Sequence, residues 1–177
     1  KHISIYTLPG MAERTIVINS FSKSYAMTGW RIGYAVANGR VMKNMVKLKE
    51  LEASCTNVPA QFAALAALRG PQLCIKAMLT EYKRRRQIMI SGLNSIPGIS
   101  CAYPKGTFYA FANIKELGIS SDELCNRLMD EAGVVVVPGT AFGAGGEGFM
   151  RLSFATSDED ITEGLNRINS FVRKIKK

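Results

Sequence analysis

The chain has 177 residues, 47% apolar and 21% charged, an ordinary globular composition with length for one domain or two small ones. Its formal net charge is +9 and its single histidine is His2. One terminal imidazole excludes Ser-His-Asp hydrolysis and histidine-rich metal sites within the chain, so no metal site is expected. No apolar run reaches membrane-spanning length, and no membrane association is expected.

The opening residues, Lys1-His2-Ile3-Ser4, show neither an initiator methionine nor a signal-peptide pattern, and are expected to be a cut within a longer chain. Thr15-Ile16-Val17-Ile18-Asn19 is a β-branched run, and Ile32-Gly33-Tyr34-Ala35-Val36-Ala37 is a second strand candidate. Mostly apolar strands are those buried on both faces, as in the central sheet of an α/β domain. Val41 to Ala53 has helical spacing, with Val41, Met45, Leu48 and Leu51 on one side. Pro59 opens a further helix, Ala60 to Leu68, that ends at Arg69-Gly70-Pro71, where a domain boundary is expected. Gln72 to Ile96 reads as a long amphipathic helix stopped by Pro97-Gly98. Phe108 to Ala112 reads as a strand, and Ser120-x-x-Glu123 as a capping box for the next helix. Gly133 ends that helix, and Val134-Val135-Val136-Val137 is expected to be a buried strand. Met150 to Ala155 is another strand. Ser157 then caps a last helix whose stripe is Ile161, Leu165, Ile168, Val172 and Ile175.

The four cysteines, Cys55, Cys74, Cys101 and Cys125, form no Cys-x-x-Cys pair, which suggests reduced thiols in a cytoplasmic protein. Positive charge gathers in Lys83-Arg84-Arg85-Arg86 and in Arg173-Lys174-Lys176-Lys177. Each cluster lies on a helix that also carries an apolar stripe. Solvated helix faces are the simpler account, and no nucleic-acid binding is expected through this segment.

Between the first two strand candidates runs Ser20-Phe21-Ser22-Lys23-Ser24-Tyr25-Ala26-Met27-Thr28-Gly29-Trp30-Arg31-Ile32-Gly33. A lysine amine is nucleophilic only when partly deprotonated, which cationic neighbours or desolvation favour. Arg31 offers a planar cationic fork, and Ser20 and Ser22 offer hydroxyls. Lys23 would follow the C-terminal end of a strand, where open α/β sheets bind ligands. Any lone lysine is most often a surface charge; the fourteen positions together reverse that. The run resembles the cofactor-lysine motif of class I/II aminotransferases, which use pyridoxal 5′-phosphate and have the aspartate aminotransferase fold. The resemblance implies that Lys23 forms the internal aldimine and shuttles the substrate proton. It implies that Arg31 and Ser20 bind the cofactor phosphate, with Ser22 assisting.

Phe149-Met150-Arg151-Leu152-Ser153-Phe154-Ala155 resembles the family's substrate-arginine strand, following Val137-Pro138-Gly139-Thr140-Ala141-Phe142-Gly143. Arg151 in an apolar strand is either an edge or ion-paired residue or, as the resemblance implies, a bidentate clamp for a substrate α-carboxylate. Pro104-Lys105-Gly106-Thr107-Phe108-Tyr109-Ala110-Phe111 resembles a strand bordering the substrate side chain, although packing explains its residues as well. Thr56-Asn57 resembles a loop that reaches a neighbouring subunit, and a connecting turn accounts for it equally. Gly143-Ala144-Gly145-Gly146-Glu147-Gly148 lacks the Lys-Ser/Thr of a P-loop and is expected to be a flexible hairpin-like turn.

The implied fold is α/β: the C-terminal part of the fold type I large domain over residues 1–70, then the small α/β C-terminal domain over 71–177. In that family the acidic partner of the cofactor's pyridine nitrogen, a stacking aromatic ring and a glycine-rich helix start all precede the lysine. The resemblance implies a parent aminotransferase taking amino-acid and 2-oxo-acid substrates as a homodimer, with this segment alone inactive. A β-elimination lyase of the same fold, or the aminotransferase-like effector domain of a transcription regulator, shares these motifs.

Overall fold

The computed structural model describes residues 2–176; Lys1, and Lys177 at the end of the second basic cluster, lie outside the described residues. The chain divides into two compact units, Lys1–Ala77 and Met78–Lys177.

In the first unit, β1 (Val17–Ser20) pairs antiparallel with β2 (Gly33–Val36), Val17 opposite Val36 and Ser20 opposite Gly33. The short helix α1 (Phe21–Ser24) and a 3-10 turn at Thr28–Trp30 connect them. Helix α2 (Gly39–Ala53) starts where the Asn38 side chain accepts from the Val41 N–H; α3 (Val58–Arg69) starts with the same device between Asn57 and Ala60. Alanines on α3 allow close approach, and Ala60 and Ala64 join Phe21, Met27 and Ile32 in a small core.

The strands themselves depart from expectation. Ile18 is 76% exposed and Val36 42%, so neither strand is buried on both faces. Among the described residues the two strands pair only with each other, in a sheet of two. Leu48 and Leu51 of the α2 stripe are likewise 68% and 80% exposed. Sequence pattern marks a surface meant for burial, but burial also needs a partner.

Helix α4 (Leu73–Asn94) contains the division between the units, and its second half, with Met89, Ile90 and Leu93, enters the core of the second. There β3 (Tyr109–Asn113), β4 (Val137–Pro138) and β5 (Phe149–Ser153) form an antiparallel sheet in the order β3-β5-β4. Strand alternation separates two faces. Ala110, Ala112, Met150 and Leu152 share one core with Leu124 and Leu128 of α5 (Ser121–Ala132) and with Ile161, Leu165, Ile168 and Val172 of α6 (Asp158–Ile175). Tyr109, Phe111, Phe149 and Arg151 occupy the opposite face.

Ser120 and Ser157 cap α5 and α6 by accepting from the N–H groups of Glu123 and Asp160. At the start of α6, Asp158 pairs with Arg84, which also donates to Glu81 at 2.7 Å. Arg86 donates to the Pro104 carbonyl at 2.8 Å and lies over the Tyr103 ring. Two arginines of the first basic cluster are therefore committed to partners within the fold.

The valine run is corrected: only Val137–Pro138 is strand, and Val135 is 79% exposed. Gly133 adopts φ +63° and closes α5, its N–H donating to Met129 while the Val134 N–H donates to Leu128. This Schellman arrangement uses the Val134 N–H for the helix end, leaving the start of the run outside any ladder. Among the described residues no single helix is long and apolar enough to cross a membrane.

Candidate active site

The β1–β2 register places four of the expected site residues at one end of the hairpin. The Phe21 N–H donates to the Ile32 carbonyl at 3.2 Å, continuing the ladder beyond the Ser20–Gly33 pair. Ser20 caps α1, its Oγ accepting from the Ser22 N–H at 3.1 Å. Lys23 follows on the exposed side of α1, and Arg31 stands just before β2, also exposed. The backbone is strained on both sides of the Thr28–Trp30 turn, with Ala26 at φ +53° and Arg31 at φ +50°. Non-glycine residues rarely take this conformation, and such strain gathers at functional sites.

The Arg31 Nη1 donates to the Thr28 carbonyl at 2.8 Å, which fixes one side of the guanidinium. Beside it lies an open concavity of about 550 Å³ lined by Ala26, Gly29, Trp30, Arg31, Asn57 and Ala60. Trp30, the chain's single tryptophan, is a site residue whose sequence signal is its place between Gly29 and Arg31. Asn57 serves as the α3 cap, and the Gln61 amide donates to the Thr56 carbonyl at 2.7 Å, so this loop has a helix-connecting role.

Arg151 belongs to the second unit and to the other sheet. It lies on the central strand between Phe111 and Val137, which rules out an edge position. Its guanidinium carbon is 4.3 Å from the centre of the Tyr109 ring and 4.6 Å from that of Phe142. Among the described residues no carboxylate forms a salt bridge with it. Half-buried arginine without an acidic partner is unusual in a fold.

The glycine run is a turn, but a tied one. Ser121, fully buried, accepts at Oγ from the N–H groups of Gly148 (2.9 Å) and Phe149 (3.2 Å). Its own N–H donates to the Glu147 carboxylate at 2.9 Å, and the Thr140 hydroxyl donates to Asp122 at 2.8 Å. A Cβ on Gly139 would collide with the Gly146 carbonyl oxygen, and one on Gly146 with that of Gly139. Glycine is required at both.

Among the described residues no group of three or more His, Cys, Asp or Glu side chains is arranged for a metal ion. The donor set instead fits an aldehyde-bearing phosphate compound: an amine, two hydroxyls and a guanidinium at one end of a strained hairpin. Residues 2–168 match the family of class I and II aminotransferases.

The chain belongs to that family.

Its aminotransferase fold is shown by solved structures as well. An aromatic aminotransferase from Pyrococcus horikoshii matches with a TM-score of 0.96 and 40% identity, over 99% of this chain and 48% of that one. The aspartate aminotransferase of Rhizobium meliloti matches with a TM-score of 0.89 and 37% identity, over 94% and 44%. Among curated relatives, the aspartate aminotransferase of Pyrococcus abyssi and the aromatic-amino-acid aminotransferase 2 of Thermococcus litoralis are each 43% identical over 178 aligned positions, which cover 99% of this chain. The chain spans 46% of the length of either relative.

Proposed function

We propose that the chain is the C-terminal part of a pyridoxal-phosphate-dependent aminotransferase that moves an amino group from an L-amino acid to a 2-oxo acid. Residues 1–70 would belong to the large cofactor-binding domain and 71–177 would form the small one. What supports the proposal is the gathering of Ser20, Ser22, Lys23 and Arg31 at one end of the β1–β2 pair, around a turn flanked by Ala26 and Arg31 at positive φ. Pyridoxal phosphate supplies, when bound, a ring that withdraws electrons from the substrate α-carbon. The Lys23 amine would hold its aldehyde and move the α-proton. Arg31, Ser20 and Ser22 would hold its phosphate by charge-assisted hydrogen bonds. Arg151, on a central strand and with no carboxylate partner among the described residues, would present its fork to the substrate α-carboxylate. A homodimeric parent accords with the family, and four free thiols accord with a cytoplasmic setting.

Borohydride reduction of the complete enzyme, followed by peptide mapping, tests the assignment. The cofactor should be fixed to the peptide containing Lys23, and Lys23→Ala should lose the visible absorbance and nearly all turnover. A tag on another lysine would sink it.

A further inference from the structure

The two rings against Arg151 come from different parts of the second unit. Tyr109 begins β3, two residues before Phe111, the cross-strand neighbour of Arg151. Phe142 ends the turn after β4. Ring centres at 4.3 Å and 4.6 Å from the guanidinium carbon are well within cation–π range. Both contacts are with ring faces, and a π face attracts the cation without a conventional hydrogen bond, so these contacts hold the group without using its N–H groups.

Phe142 is itself held. It makes an edge-to-face contact with Phe111, centroids 6.1 Å apart, and Phe111 stacks on Phe149 at 5.1 Å. The turn bearing it is anchored at both ends, by Thr140 to Asp122 and by Gly148 and Phe149 to the buried Ser121 hydroxyl. The close approach of Gly139 to Gly146 leaves that turn little room to shift.

We infer that Tyr109 and Phe142 are positioning residues that fix the Arg151 guanidinium between two rings and leave its N–H groups for a carboxylate. A long side chain loses much rotamer freedom when it forms a bidentate pair, and prior confinement removes part of that cost. The inference rests on the proposed role of Arg151 as the carboxylate clamp. It also explains how a half-buried arginine is retained with no acidic partner among the described residues: the rings supply electrostatic attraction without competing for the ligand site.

The test uses the complete holoenzyme with an acidic donor, aspartate, and an aromatic donor, phenylalanine, which share the α-amino-acid group and the β-methylene and differ beyond them. Tyr109→Leu and Phe142→Leu should each raise KM about tenfold, by the same factor for both donors, with kcat moved less. Tyr109→Phe and Phe142→Tyr, which keep the rings, should retain the wild-type KM. In the NMR spectrum of the 177-residue chain, ring currents should displace the Arg151 Hε resonance, and Phe142→Leu should reduce that displacement. An undisplaced wild-type resonance overturns the inference whatever the kinetics. So do unchanged KM values in both leucine variants while Arg151→Lys raises KM. Unequal factors for the two donors overturn it too, by showing that the rings read the substrate side chain. Unchanged KM in Arg151→Lys overturns the clamp assignment itself, even where the displaced resonance shows the rings in place.

Discussion

Ser20 lies directly opposite Gly33 across the β1–β2 ladder, and this one pairing brings the lysine and arginine of the motif to the same end of a hairpin. A Cβ on Gly33 would come within 2.6 Å of the Asn19 carbonyl oxygen, a backbone atom with no room to yield. Gly33→Ala should therefore separate the strands at the site rather than merely stiffen them. The expected cost is about 1–3 kcal/mol of stability, as for other overpacked positions. It should come with faster loss of pyridoxal phosphate from the complete enzyme, followed by dialysis and visible absorbance. Wild-type retention would show that the register tolerates the change.

The proposed phosphate contact makes a prediction that separates binding from chemistry. Arg31→Lys keeps the charge but loses the planar fork. Affinity for pyridoxal phosphate should fall about tenfold or more, while affinity for pyridoxal, which has no phosphate, should stay unchanged. Equilibrium titration of the apoenzyme with both compounds measures this. Equal losses would place Arg31 in a structural role, as its bond to the Thr28 carbonyl would then suggest.

Ser121 shows what the sequence made legible and what it concealed. The capping box ahead of α5 was plain, because Ser120 and Glu123 stand at local spacing. The next residue, Ser121, is by sequence one more polar position in a helix's first turn. Its importance comes from Gly148 and Phe149, more than twenty residues away, and only the folded chain brings those N–H groups to its hydroxyl. The same distinction runs through the molecule. Helix periods, caps and the Lys23 motif are local and were readable; the β3–β5 register that sets Tyr109 beside Arg151 is not local. The valine run failed because its first N–H is claimed by the end of α5, a competition invisible in its own composition. Ser121→Ala leaves two backbone donors without their partner and should destabilise the second unit by about 2–4 kcal/mol. Urea unfolding measures this, and a loss below about 0.5 kcal/mol would show that water replaces the hydroxyl.

The cysteines provide a pH-dependent readout of the second unit. Burial raises the Cys101 thiol above its ordinary value, with a hydrogen bond to Phe111 opposing it; burial, aided by the charge of Asp122, pushes Cys125 up to about 11. A thiol whose pKa is raised on folding contributes stability that is fully present below its unfolded value of about 9. That contribution is lost as pH rises through the folded value. Stability should thus decline between about pH 9 and 11, and Cys125→Ala should flatten that decline. At neutral pH a maleimide should label the exposed Cys55 and Cys74 quickly and leave Cys101 and Cys125 unlabelled until the chain unfolds. Rapid labelling of all four would contradict the packing.

The last prediction concerns the 177-residue chain by itself. Its second unit has an extensive core in which Leu93, Ile114, Leu124, Leu128, Met150 and Phe154 are fully buried. The first unit has Phe21, Met27, Ile32, Ala60 and Ala64, while Ile18, Tyr34, Val36, Leu48 and Leu51 face solvent. Local stability follows buried apolar contact, so the first unit should open more readily. Limited proteolysis should cut within residues 2–70 first and leave a resistant product that begins near Met78. Pyridoxal phosphate should bind the intact chain weakly, because a site assembled on an exposed two-stranded hairpin lacks the enclosure that strengthens polar contacts. Titration followed by visible absorbance decides between the alternatives. Tight, stoichiometric binding, together with protection of residues 2–70 from protease, would show that the chain builds a sufficient cofactor site by itself.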